Sequence, residues 1–441
     1  MIKELKIINL FGQFDYHIVF KDVGITIITG PNGFGKSTVL KIIESLGEKD
    51  LYDLCQFPFK KIIAKTTNQY ITVEKNNDSV IVNNCVLSFF PERIMENWHR
   101  RKGIPFVERI APNTFVDLRY DKILTSQEYS ALIKEYNNDN DISDRLILIN
   151  YDQSKSIKKD GAKYKELQKQ LELFKQDVGN IKFIKEQRLI RKETIDEGYY
   201  LRDEKTKVIE VITELPEKMM SRIKDVVLKY SEISSKLDSS FPARLFEAEK
   251  TISQDEYINS LGKIILKQEK IQDYNLIKDL HIISIGSYKE DYAKALKVYI
   301  DDTTEKLSVY NDLIRRLDTF VQTINRKLYN KKIIVSSEFG LKVIREDGQE
   351  LDLNKLSSGE QQIIVLYYEL IFEIQDKTIL MIDEPEISLH VAWQRTLMDD
   401  LQKIIHLKDD DLFVIIATHS PQVINNNWNT IVDLGEQNGN K

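Results

Sequence analysis

Apolar positions in this chain fall into three patterns. Unbroken aliphatic runs come first: Ile25-Thr26-Ile27-Ile28-Thr29, Ile379-Leu380-Met381-Ile382 and Phe413-Val414-Ile415-Ile416-Ala417. Runs of this length and β-branched content fit strands covered on both faces, as in a parallel sheet. Alternating segments come second. Residues 1–29 alternate like strands and lead into the first run; residues 70–74 and 80–82 flank a polar stretch at 75–79, which is a hairpin signal. Residues 332–335 and 341–344 read as strands, with a turn at Asp347-Gly348. The third pattern is helical. Met219, Ile223, Val226, Tyr230, Ile233 and Leu237 recur at steps of 4 and 3. So do Leu296, Ile300, Thr303, Leu307, Tyr310, Ile314, Leu317, Val321, Ile324 and Leu328, a heptad seam over 33 residues. If one helix carries it, that seam is about 50 Å long. Antiparallel packing of these helices within the chain is the simpler reading; self-association or partner docking is the other. Phe241-Pro242 and Ser284-Ile285-Gly286-Ser287 punctuate this arm. Residues 86–180 show little pattern beyond a loop at 137–141.

The junction after the first apolar run carries chemistry. Gly30-Pro31-Asn32-Gly33-Phe34-Gly35-Lys36-Ser37 fits the phosphate-loop pattern G-x-x-x-x-G-K-[ST], between a strand and a helix that opens at Thr38. Glycines let the loop backbone curl so that its N–H groups face a phosphate, and the helix N-terminus adds partial positive charge. Lys36 can reach the β- and γ-phosphates of ATP, and Ser37 can ligate Mg²⁺. The expected nucleotide-binding set is therefore Pro31, Asn32, Gly33, Phe34, Gly35, Lys36, Ser37 and Thr38.

Three further motifs follow. Leu356-Ser357-Ser358-Gly359-Glu360-Gln361-Gln362 precedes an apolar helix; the second run ends in Asp383-Glu384; the third ends in Thr418-His419-Ser420-Pro421. In this order the set resembles the ATP-binding-cassette ATPases, over about residues 1–45 and 330–430. Asp383, at a strand end, can hold Mg²⁺; Glu384 can orient and deprotonate the attacking water; His419 can contact the γ-phosphate and sense its loss. The resemblance implies an α/β fold. It is an ABC-type P-loop ATPase head, a mixed sheet with flanking helices plus an antiparallel β subdomain, interrupted by a helical or coiled-coil arm. It also implies that Ser357, Ser358, Gly359 and Glu360 complete the ATP site of a second copy, in a head-to-tail dimer with two sandwiched nucleotides. Residues 181–189 look like the glutamine-loop region, which makes Gln187 a third metal ligand and Arg188 a link between sites; a surface glutamine is the alternative. The expected division is 1–204 as an N-terminal ATPase lobe, 205–330 as the arm and 331–441 as a C-terminal ATPase lobe.

The signature Leu-Ser-Ser-Gly-Glu departs from the transporter form. The tail Glu384-Pro385-Glu386-Ile387-Ser388-Leu389-His390, then Trp393-Gln394, is similar to a prokaryotic group of stand-alone cassette ATPases. That group includes the OLD-family ATPases and the anti-phage ATPases AriA of PARIS and PtuA of Septu. The compact length resembles AriA first and PtuA next. The resemblance implies a separately encoded nuclease effector, TOPRIM or HNH, a phage-derived trigger protein, and a homodimer or higher homo-oligomer. His390 reads equally as a functional or a capping histidine. With 22 residues after His419 (441 − 419), no intrinsic nuclease is expected. An SMC-like DNA repair or chromosome-associated ATPase is the alternative. Its usual arms run to hundreds of residues, whereas Lys36 and Gly359 stand 323 apart (359 − 36).

Composition narrows partners more than fold. The formal net charge is −6, which gives no global electrostatic case for nucleic acid. Residues 158–192 carry 11 Lys/Arg against 5 Asp/Glu, a local +6 that reads as a solvated helix face or as a phosphate-backbone contact. Two cysteines, Cys55 and Cys85, fit a reducing cytoplasm without a disulfide framework. No apolar run approaches the ~20 residues of a membrane span, and the first residues do not read as a signal peptide.

Overall fold

The computed structural model describes residues 1–21, 24–76, 79–88, 107–111, 114–117, 122–125, 161–185, 189–195, 205–277, 288–375, 377–387, 389–408, 412–425 and 427–437. The chain forms two compact units. One holds residues 1–186, 375–387 and 408–441; the other holds 187–374 and 388–407. This partition differs from the three consecutive segments drawn on the sequence. Long-range strand pairing returns the acid-ended and histidine-ended strands to the phosphate-loop unit, while the helix that follows the signature joins the arm.

The first unit is built on a five-stranded parallel sheet. Its order is Asn180–Ile184, Thr378–Asp383, Leu412–Ala417, Gly24–Thr29, Ile431–Asp433. Parallel pairing places every strand's C-terminal end on one edge, where loops of open α/β sheets form sites. Register makes the juxtaposition specific: Asp383 lies beside Ala417, and Ala417 beside Ile28. The strand interiors are buried almost throughout, as their unbroken apolar runs require. A six-stranded antiparallel sheet supplies the second layer, in the order Phe14–Val19, Ile2–Leu10, Lys61–Thr66, Tyr70–Lys75, Ser79–Val82, Cys85–Ser88. The hairpin expected at 70–82 forms, with Val73 opposite Val82. Helix Lys36–Gly47 sends Val39, Leu40, Ile43 and Leu46 into the core that joins both sheets. Helix Gly161–Val178 adds Leu167, Leu171, Phe174 and Val178 to the same core, at helical spacing. Lys169 and Glu172 of this helix face solvent, and Glu172 pairs with Lys49. That part of the basic stretch is a solvated helix face. Neither Cys55 nor Cys85 forms a disulfide among the described residues.

The second unit carries the arm. Helices Val211–Glu247, Gln254–Asp273 and Ala293–Ser308 form it. Pairs Arg244–Asp302, Asp238–Lys306 and Tyr230–Tyr310 run in opposite senses, so the first and third helices are antiparallel. Pairs Glu256–Lys297 and Tyr274–Asp318 ascend together, so the second runs parallel to the stretch that starts at Ala293. One punctuation reading changes; the other, at Ser284-Ile285-Gly286-Ser287, lies outside the described residues. Pro242 lies inside helix Val211–Glu247 rather than ending it. A proline removes the backbone bond to the carbonyl four residues back and strains that turn; Arg244 Nη2 and the Ser240 hydroxyl donate to the adjacent Leu237 carbonyl, at 2.7 and 3.3 Å. The heptad seam is not one helix. It breaks at Val309–Tyr310, between Ala293–Ser308 and Asn311–Asn325. Its first half packs on the arm helices; its second half packs on strand Lys331–Ser336 and helices Ser358–Tyr368 and Val391–Leu407. Either surroundings bury the same 3–4 spacing, so periodicity alone could not show the change of partner. Strands Lys331–Ser336, Gly340–Arg345 and Glu350–Leu351 form a small antiparallel sheet. Gly340, at φ +69, touches the arm so closely that a Cβ would stand 1.9 Å from the Pro216 carbonyl oxygen. No described helix is long and apolar enough to cross a membrane.

Candidate nucleotide site

The parallel edge of the first unit brings together five of the residues singled out in the sequence: Lys36, Ser37, Asp383, Glu384 and His419. The Ser37 hydroxyl donates to Asp383 Oδ1 at 3.0 Å, across 346 residues of chain. Lys36, buried, donates from Nζ to the Gly30 carbonyl at 3.0 Å and lies 3.6 Å from Glu384 Oε1. Nδ1 of His419 stands 2.6 Å from the other oxygen of Glu384. Glu384 thus bridges the lysine of the loop and the histidine of the neighbouring strand. Its backbone is unusual: φ is +42, left-handed for a residue with a Cβ, and its N–H donates to the Ala417 carbonyl at 2.9 Å. That turn swings the side chain off the strand end toward the loop.

The loop is shaped by its neighbours. Gly35, at φ +79, precedes helix Lys36–Gly47, and a Cβ there would stand 3.0 Å from the Phe11 ring and 3.2 Å from Leu10. The Phe34 carbonyl accepts from the Tyr16 hydroxyl at 2.6 Å, and its ring lies 4.9 Å from that of Phe14. Burial pushes the Tyr16 phenol up to about 12, so it stays a donor. Pro31, Asn32 and Gly33 are exposed, while Phe34, Ser37 and Thr38 are half-buried. Neither Phe14 nor Tyr16 carried a sequence signal, because both sit in an ordinary alternating strand.

Glu386 is the largest omission. In the sequence it stands only as part of the tail motif. It is 7% exposed, yet its Oε1 accepts from the backbone N–H groups of His419 and Ser420 at 3.1 and 3.0 Å, and from the Thr418 hydroxyl. Burial raises its carboxyl above the ordinary range, with Glu384 adding to the rise and Thr418 opposing it. Glu384, Glu386 and His419 offer ligand atoms within 4.8 Å of one another.

The signature belongs to the second unit. Ser357 caps helix Ser358–Tyr368 in a reciprocal box with Glu360. Glu360 is turned inward, its Oε1 2.6 Å from Lys331 Nζ. Burial alone would raise its carboxyl, but Lys331 and the Ser357 N–H and hydroxyl hold it below the ordinary range. Glu360 therefore works as a cap, and the N–H groups at Ser358 and Gly359 open the helix. His390 likewise caps: its Nδ1 accepts from the Ala392 N–H at 3.3 Å, at the start of helix Val391–Leu407. Strand Asn180–Ile184 stands at the sheet edge beside Thr378–Asp383; Gln187 and Arg188 beyond it lie outside the described residues.

The chain is similar to several known proteins. UvrABC system protein A of Pseudomonas putida is 30% identical over 149 residues, which is 34% of this chain and 13% of that protein. Its namesake from Chlamydia trachomatis is 35% identical over 89 residues, 20% of this chain and 5% of that protein. The chain thus spans a small fraction of the curated relatives it matches. Similar solved structures include the Smc head domain with an extended coiled coil bound to the C-terminal domain of ScpA, derived from Pyrococcus furiosus. Its TM-score is 0.34 at 12% identity, covering 98% of this chain and 92% of that one. The SMC head domain from Thermotoga maritima gives 0.31 at 12% identity, covering 96% and 90%. The AAA ATPase domain family matches residues 1–424, from the first strand past His419. With the phosphate loop, the acid pair and the histidine on one sheet edge, the chain belongs to the AAA ATPase domain family and is an ATPase.

Proposed function

We propose that this ATPase is a nucleotide-driven switch that works on a separately encoded partner in anti-phage defence. Two heads close head to tail on ATP, and Ser357, Ser358 and Gly359 of one chain complete the site of the other. The supporting observation is that the signature helix Ser358–Tyr368 and the three-helix arm share one compact unit. A signature that engages ATP therefore takes the arm with it. The Ser37 hydroxyl and the Asp383 carboxylate, 3.0 Å apart, are the hard oxygen donors that Mg²⁺ prefers, and these two residues would hold it. Bound there, the ion supplies neutralisation of phosphate charge. Lys36 binds phosphate oxygens, Glu384 takes the proton of the attacking water, and His419 holds the γ-phosphate side. Gln187 keeps its proposed place as a further ligand.

The tail Glu384-Pro385-Glu386, with Leu389-His390 and Trp393-Gln394, supports the defence reading through its likeness to AriA of PARIS and, next, PtuA of Septu. On this reading the chain is cytoplasmic. It holds, releases or activates a TOPRIM or HNH nuclease when a phage-derived protein appears. The alternative, an SMC-like ATPase on DNA, is disfavoured by the arm: its longest helix has 37 residues, about 55 Å. The test is co-purification with the product of the adjacent gene, then phage challenge of cells carrying wild type or Glu384→Gln with that gene present or deleted. Expected are a nuclease in the purified complex and protection only when both genes are intact. Protection with every neighbouring gene deleted, or DNA cleavage by this chain alone, would end the partner reading. Stimulation of hydrolysis by DNA without any partner would favour the SMC-like alternative.

A further inference from the structure

We propose that Glu386 is a positioning residue for ATP hydrolysis, the anchor that fixes the switch loop 418–420 and thereby places His419 against Glu384. The inference rests on the ATPase reading and deepens it. Glu386 stands three residues beyond Asp383, on the turn that closes the acid strand, and its side chain reaches to the loop after the neighbouring strand Leu412–Ala417. A carboxylate this buried is costly unless donors surround it. Oε1 gathers three of them, one from each of three successive residues: the Thr418 hydroxyl, the His419 N–H and the Ser420 N–H. Three donors converging on one oxygen fix both the height and the twist of the loop. Two of them are backbone groups, so the anchor acts on the chain itself.

The consequence falls on His419. Its ring is about half exposed, yet its Nδ1 lies 2.6 Å from Glu384 Oε2 and 3.4 Å from Glu386 Oε1. A proton on Nδ1 meets an acceptor on either side. The two carboxylates thus select the tautomer that leaves Nε2 as the nitrogen free to work. Glu384 gains in turn: one oxygen is held by His419, and the other lies 3.6 Å from Lys36. Without the anchor, the loop backbone is released and the histidine drifts from the acid. A misplacement of about 1 Å is enough to cost on the order of 10²-fold in rate.

The test combines steady-state hydrolysis, ATP affinity and melting temperature with a double-mutant cycle. Glu386→Ala is expected to lower kcat by roughly 10- to 100-fold with ATP affinity unchanged. Glu386→Gln keeps an oxygen for the same three donors and is expected to hydrolyse near the wild-type rate. In a His419→Ala background, Glu386→Ala is expected to cost nothing further, because its effect passes through His419. A merely structural role would give additive losses and a Glu386→Ala defect that tracks melting temperature. Should Glu386→Ala not fold, Glu386→Asp takes its place, its carboxylate one methylene short of the donors, and the same coupling is expected. A wild-type rate in Glu386→Ala or Glu386→Asp, or losses additive with His419→Ala, overturns the proposal. Absence of hydrolysis by the wild-type chain would overturn the ATPase reading instead.

Discussion

Glu384→Gln is expected to bind Mg²⁺ and ATP as the wild type does and to hydrolyse ATP roughly 10²-fold or more slowly. The substitution is close to isosteric, so the left-handed turn at φ +42 and the bond from the Glu384 N–H to the Ala417 carbonyl persist. The amide still bridges when its oxygen accepts from Lys36 and its NH₂ donates to His419 Nδ1, which requires the histidine proton to move to Nε2. On the proposed mechanism, what is lost is basicity at the atom that takes a proton from water. Binding on the same proposal rests on Lys36, the loop N–H groups and the Ser37–Asp383 pair, none of which changes. The check is phosphate release under saturating ATP beside equilibrium binding of a fluorescent nucleotide. Equal turnover in wild type and Glu384→Gln would remove Glu384 from the mechanism. Loss of binding in the variant would mean that Glu384 supports the loop rather than the chemistry.

The second large effect is on stability. Asp400, on helix Val391–Leu407, is 2% exposed and accepts from the Tyr367 hydroxyl at 2.7 Å. Lys327 Nζ lies 2.7 Å from the same carboxylate oxygen, and Arg326 donates to the other at 3.3 Å. Lys327 is itself almost fully buried; burial pushes its ammonium pKa down, and Asp400 partly restores it. Asp400→Ala leaves a buried ammonium with Thr396 as its remaining hydrogen-bond partner and a buried phenol without its acceptor. Breaking a buried pair by removing one partner costs about 3–5 kcal/mol. Removing both should cost much less, so Asp400→Leu combined with Lys327→Met is expected to recover most of the loss. Urea melts of the three proteins measure this. A loss below about 1 kcal/mol for Asp400→Ala would mean that the cluster is solvated and behaves as a surface network.

Which of these features the sequence revealed follows from their range. The loop 30–37, the Asp383-Glu384 pair and His419 stand out in the sequence because each is a short pattern joined to a strand whose apolar run is unbroken, and the structure sets them on one sheet edge. The hairpin at 70–82 was legible because alternation and turn lie within one short window. The sheet order was not, since it sets Asn180–Ile184 against Thr378–Asp383 through pairing that no local pattern encodes. The seam from Leu296 to Leu328 shows the opposite error. The spacing was read correctly and most of its positions are buried, but the burying partners change at Val309–Tyr310. Glu386 has another cause: a buried acid's role is set by the donors around it, here Thr418, His419 and Ser420. Such donors are seen only in three dimensions.

The claim that two chains together make each ATP site is tested most directly by subunit mixing. Lys36→Ala removes the ammonium that grips phosphate, and Gly359→Asp puts a carboxylate at the helix N-terminus that must meet the γ-phosphate of the other chain. Each variant alone is expected to be inactive, since every site in either homodimer is spoiled. In the mixture, the intact loop of Gly359→Asp meets the intact signature of Lys36→Ala, and one hybrid site forms. Hydrolysis that appears only on mixing is the predicted result. A mixture as inactive as its parts, while Gly359→Asp alone hydrolyses ATP at the wild-type rate, would contradict the shared site.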